Sequence, residues 1–147
     1  MNKFAKMFLL VSSLFVAVNA SAELLAKTKL YVGTGHSNNG VVTTNSSHLN
    51  DSTKHIGYTI DDGSAIPANK YVEVFVGNDV PNNGVVSRDW NHVGGSTESL
   101  GYLSINAVPN GRKLYVGTGA CNNGVVTVST MHAGCSTEFF GYTMPPN

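Results

Sequence analysis

Three histidines, His48, His92 and His132, each stand eight residues after the glycine of an Asn-Asn-Gly triplet and four residues before a Ser-Thr pair. The triplets are Asn38-Asn39-Gly40, Asn82-Asn83-Gly84 and Asn122-Asn123-Gly124, and the pairs are Ser52-Thr53, Ser96-Thr97 and Ser136-Thr137. Imidazole and carboxamide groups each donate and accept hydrogen bonds, which suits a ligand rich in hydroxyls. The binding candidates are therefore Asn38, His48, Asn82, His92, Asn122 and His132. Trp90 joins them. It is the only tryptophan, two residues before His92 where the other copies carry Ser46 and Thr130, and its ring can stack on an apolar sugar face. Each set also has a plain structural reading. The second Asn can serve a turn that needs positive φ, the His can tie a loop to backbone carbonyls, and the Ser-Thr pair can satisfy local backbone groups.

Other chemistry finds less support. No carboxylate recurs, since Glu98 and Glu138 align with Lys54, and no nucleophile with a positioned base stands out, so the expectation is not an enzyme. Arg88, Asp89 and His92 form the least poor catalytic cluster. His36 and His55 add to His48 in the first copy, but without the spacings of a metal set, and neither a metal nor a cofactor is expected.

These residues sit inside a repeat. Residues 29–60, 73–104 and 113–144 align without a gap, so Gly33, Gly40 and Gly57 are matched at every copy. Each copy opens on an alternating run, Leu30-Tyr31-Val32, Val74-Phe75-Val76 or Leu114-Tyr115-Val116, which predicts a strand. The Asn-Asn-Gly triplet predicts a hairpin turn, Val41–Thr44 and its counterparts a second strand, and Gly57-Tyr58-Thr59-Ile60 and its counterparts a third. In the connectors, Ala65-Ile66 and Ala107-Val108 could each add a short fourth strand. No stretch after the amino-terminal segment holds a helical period.

Three units of about 40 residues predict an all-β, closed pseudo-threefold body, with a β-trefoil as first choice and a threefold β-prism second. At the level of repeat length and count, the chain resembles β-trefoil lectins, whose repeats commonly carry one sugar site each. The Gln-x-Trp triplet of the ricin-B type is missing, so no family residues are carried over. The resemblance implies a secreted carbohydrate-binding module with up to three pockets, its partner a glycan or polysaccharide. The alternative is an exported protein-interaction module, such as a hydrolase inhibitor or an assembly factor.

Lys3 and Lys6, the apolar Met7–Val18 and the small residues Ala20-Ser21-Ala22 read as an export signal over residues 1–22, placing one all-β domain at 23–147 in the periplasm or outside the cell. That domain carries seven Lys plus Arg against nine Asp plus Glu, a formal charge of −2 with no run of either sign. Nucleic acid and anionic membranes, which need clustered cations, are not expected partners, and no second apolar run suggests membrane insertion. Cys121 and Cys135, the only cysteines, are expected to pair in an oxidising compartment. Their counterparts are Ser37 with Asp51 and Pro81 with Gly95, so the bridge is a staple private to the third copy.

Overall fold

A computed structural model describes residues 25–61 and 68–146. The expected export signal and the Ala65-Ile66 strand lie outside the described residues. The protein is all-β. The first copy holds β1 (Ala26–Gly33), β2 (Val42–Thr43) and β3 (Thr53–Ile60), and the second holds β4 (Tyr71–Gly77), β5 (Val86–Ser87) and β6 (Thr97–Ser104). The third holds β7 (Lys113–Gly117), β8 (Val126–Thr127), β9 (Met131–His132) and β10 (Cys135–Tyr142). Helical structure among the described residues is limited to single 3-10 turns at His48–Asn50, Ala68–Lys70 and His92–Gly94, and no helix is long and apolar enough to cross a membrane. Ala107-Val108 is not a strand: a turn closed by the Gly111 N–H on the Val108 carbonyl takes up that stretch, with Asn110 at φ 59°.

The alternation in each opening strand does what its period requires. Leu30 and Val32 are buried while Tyr31 lies on the outer face, half-buried, and the second and third copies repeat this. The long strands of each copy pair antiparallel, and each pair carries a bulge. Leu30 faces Gly57 but Tyr31 faces His55, leaving Ile56 as an extra residue. Leu100 and Phe140 are the extra residues opposite Val74/Phe75 and Leu114/Tyr115. A bulge bends its strand and re-aims the side chain. Here all three extra residues turn into the core.

The core is built in layers with one side chain from each copy: Leu30, Val74 and Leu114; Val32, Val76 and Val116; Val42, Val86 and Val126; Ile56, Leu100 and Phe140. Burying each such side chain contributes about 1.5–3 kcal/mol, and no copy can complete a layer alone. The copies must therefore fold together.

Hydrogen-bonded strands run in the order β2-β1-β3-β6-β10-β7-β8, with β4 on β6, β5 on β4 and β9 on β10. The two ends of that path are joined by no continuous ladder; they meet at a single bridge between Val41, just before β2, and Thr127 of β8, with the Thr127 hydroxyl and the Val128 N–H donating to the Gly40 carbonyl. Further bridges join Thr43 to Val85 and Ser87 to Val125, so each short strand touches the short strands of both other copies. At the opposite end of the molecule, Ile60 pairs with Tyr102, Ser104 with Tyr142, and Tyr58 with Met144. The Thr59 and Thr143 hydroxyls add hydrogen bonds to the Leu100 and Ile56 carbonyls of neighbouring copies, at 2.6 and 3.2 Å.

Candidate functional site

The first Asn of each triplet, in the connection between the first two strands, clasps the long loop that carries the His between the second strand and the last. Asn38 donates to the carbonyls of His48 (2.9 Å) and Ser52 (3.1 Å) and accepts from the Gly35 N–H (3.0 Å). Asn82 repeats the pattern on His92, Ser96 and Asp79, and Asn122 on His132, Ser136 and Gly119, with Cys135 as an added acceptor. The three amides are 0–2 % exposed with donors and acceptor engaged, so Asn38, Asn82 and Asn122 hold the loop from within, and each also borders one of the clefts described below. Gly33, Gly77 and Gly117 explain the fit, because a Cβ there would collide with the backbone of that same Asn.

The second Asn takes the exposed place. The Val41 N–H bonds back to the Asn38 carbonyl at 3.1 Å, with Gly40 at φ 79°, which is a turn needing positive φ at its third residue only. Asn39, Asn83 and Asn123 do not adopt positive φ, and all three are exposed. The triplet thus lies, as expected, in the hairpin connections β1–β2, β4–β5 and β7–β8, whose strands pair antiparallel, and a second tight turn follows immediately after each His. Leu49 and Asn50 (φ 54° and 55°), Val93 and Gly94 (49° and 74°), and Ala133 and Gly134 (51° and 77°) are the central residues of two-residue turns with positive φ at both positions. In the third copy this turn joins β9 to β10, with His132 opposite Cys135. In the first and second copies, the Asp51 and Gly95 N–H groups bond to the His48 and His92 carbonyls at 3.1 Å. A β-branched residue such as Val93 is strained in this conformation. The turn nevertheless fixes each His at its first position, where its carbonyl also meets the Asn clasp.

Each imidazole then faces a different copy. A Cβ placed on Gly84 would lie 3.3 Å from His48 Nδ1, one on Gly124 3.4 Å from His92 Nδ1, and one on Gly40 3.5 Å from His132 Nδ1. Three clefts result, each between copies. The first sets His48, Leu49 and Asn45 against Val80, Pro81 and Asn83 and holds about 310 Å³. The second sets Asp89, His92 and Val93 against Ala120, Cys121 and Asn123 in about 340 Å³. The third sets Met131, His132 and Ala133 against His36, Ser37 and Asn39 in about 440 Å³. Such volumes are at the lower end of small-molecule sites. Burial lowers the pKa of all three histidines, with Asp89 partly opposing that shift at His92, so the rings are neutral at neutral pH. A neutral ring offers one donor and one acceptor, and none of the three makes a ring hydrogen bond among the described residues.

His48, His92 and His132 are therefore brought to clefts, and the triplets' first Asn residues, buried with their amides engaged, line the same three clefts. Trp90 is not in the His92 cleft. Its side chain is 73 % exposed and borders a separate depression with Asp79, Gly94 and Thr97, whose hydroxyl bonds to the Trp90 carbonyl. Asn39, Asn83 and Asn123, and the rim residues Leu49 and Val93, were not singled out by sequence. A glycine or asparagine two residues after every His was the available signal for the turn that presents those rims.

Cys121 and Cys135 form the expected disulfide, with their Cα atoms 6.1 Å apart. Ser37 and Asp51 hold the same two positions in the first copy by hydrogen bonds, 2.9 Å from the Ser37 N–H and 2.8 Å from its hydroxyl to Asp51 Oδ2. Those bonds lower the Asp51 pKa. No protein-family model, curated protein or solved structure matches the chain.

Proposed function

We propose that the protein is a secreted carbohydrate-binding, lectin-like module whose three clefts each take one sugar unit of a glycan or polysaccharide. The observation that carries this reading is the recurrence, at three places, of an uncharged imidazole without an internal partner beside an exposed Asn amide and an apolar rim. These are donors and acceptors for hydroxyls, with low charge and a surface for an apolar sugar face. Three weak sites on one rigid body gain avidity on a repeating polymer. On the same reading the copies form a closed pseudo-threefold body of the β-trefoil type, supported by single bridges that link each copy to both others at both ends of the molecule.

A glycan array on the full chain tests the class. His48→Ala, His92→Ala and His132→Ala are each expected to weaken binding to the multivalent glycan severalfold with little change in melting temperature. Unchanged binding by the triple variant contradicts the site assignment.

One observation favours a protein-interaction module instead. Met131 (67 % exposed) and Phe139 (40 %) flank the disulfide-stapled loop of the third copy. Pull-down of an exported protein, abolished by reducing Cys121–Cys135, would support that reading.

A further inference from the structure

Among the positions at which the three clefts differ is the one where Asn45, Asp89 and Ser129 correspond, and only there does one cleft gain a charge of its own. We propose that the cleft between the second and third copies selects a sugar bearing a protonated amine, with Asp89 as its counter-ion. This rests on the carbohydrate-binding reading and assigns the ligand class of one of its sites.

The geometry separates the Asp89 carboxylate from its cationic neighbour. Arg88 Nη1 lies 2.9 Å from Glu138 Oε1, Arg88 Nη2 donates to Asn123 Oδ1 at 3.3 Å, and the Arg88 Nε stands 3.8 Å from Asp89 Oδ1. The guanidinium is thus committed first to Glu138. Arg88, Asp89 and Glu138 together leave one net negative charge at this cleft. Asp89 Oδ2 has no hydrogen-bond donor among the described residues and lies across Gly124, where a Cβ would collide with it. A Cβ on Gly124 would also lie 3.4 Å from His92 Nδ1, so the carboxylate oxygen and the imidazole flank one point on the cleft floor. An ammonium group there meets a carboxylate and a neutral ring acceptor, and a hydroxyl can take only part of that arrangement.

In the other clefts the arrangement is missing. Asn45 Oδ1 accepts from the Ser47 N–H at 3.0 Å, and Ser129 carries no charge. The Asp89 side chain is 45 % exposed, so the preference it confers is modest and salt-dependent, about two- to fivefold.

The test is calorimetric titration of the full chain with glucosamine oligomers and with N-acetylglucosamine oligomers of the same length, at low and high salt, at a pH where the sugar amine is protonated. The expected result is tighter binding of the amine form by about two- to fivefold at low salt. That preference disappears at high salt and in Asp89→Asn, and Asn45→Asp adds a second cleft with the same preference. Asp89→Ser, which installs the third copy's residue, guards against a folding defect in Asp89→Asn. Equal binding of both oligomers, unchanged in Asp89→Asn, overturns the charge assignment and leaves the carbohydrate reading standing. Binding of neither oligomer also overturns it, and the array with the histidine variants then decides the carbohydrate reading separately.

Discussion

The first and third copies close the same loop with different chemistry. In the first, the Asp51 carboxylate accepts from the Ser37 N–H and hydroxyl; in the third, a covalent bond joins Cys121 to Cys135 at the same two positions. The second copy has Pro81 and Gly95 there and relies on neither. What all three share is the buried Asn amide on the carbonyls of the His and the Ser. The clasp is thus the common requirement for holding the His in place, and the outer staple is an addition that each copy makes in its own way.

The comparison can be broken most severely at the clasp. Asn82→Ala removes the common element from the copy with no staple and orphans buried polar groups worth about 1–3 kcal/mol each, so a loss of about 3–5 kcal/mol is expected in chemical denaturation. The same change at Asn122 should cost less, because the disulfide still holds that loop. Equal losses at the two positions would show that the staple does not support the clasp. Reducing Cys121–Cys135 should cost about 3 kcal/mol and leave the first two clefts able to bind.

Acid should reveal the two titrating supports. The folded pKa of each of the three histidines is lowered by burial, so the unfolded chain takes up protons first as the pH falls. Stability is full above about pH 6.5 and declines as the pH drops from there towards the folded values. A melting-temperature series on the triple His→Gln variant should lack this decline. Asp51 acts lower in pH: its support is present above the ordinary carboxylate pKa and is lost as the pH falls through its depressed folded value. Asp51→Ala is the smallest effect expected, a shallower acid limb with little change at neutral pH, because the group is at the surface.

The strands were legible because Leu30-Tyr31-Val32 and its counterparts alternate in a way only a half-buried strand explains. The histidines were legible because they recur at a fixed distance from a turn. What alignment of the copies could not show was contact between them: His48 faces Gly84 and Asn83, and nothing in the first copy alone indicates that. The two Asn residues of each triplet are chemically identical, and only burial separates the clasp from the rim. The kept Gly33 was the one hint, since a glycine that tolerates no Cβ signals something packed on it. Rarity singled out Trp90 without saying which side of the turn it leaves, and the structure sets it at a depression apart from the His92 cleft.

The central claim is that binding occurs between copies, and residue-resolved chemical-shift mapping during glycan titration tests it most directly. The account predicts that His48 moves together with Asn83, His92 with Asn123, and His132 with Asn39, while Trp90 and the outer-face Tyr31 stay still. Shifts confined to Trp90, or to residues of a single copy, would contradict it.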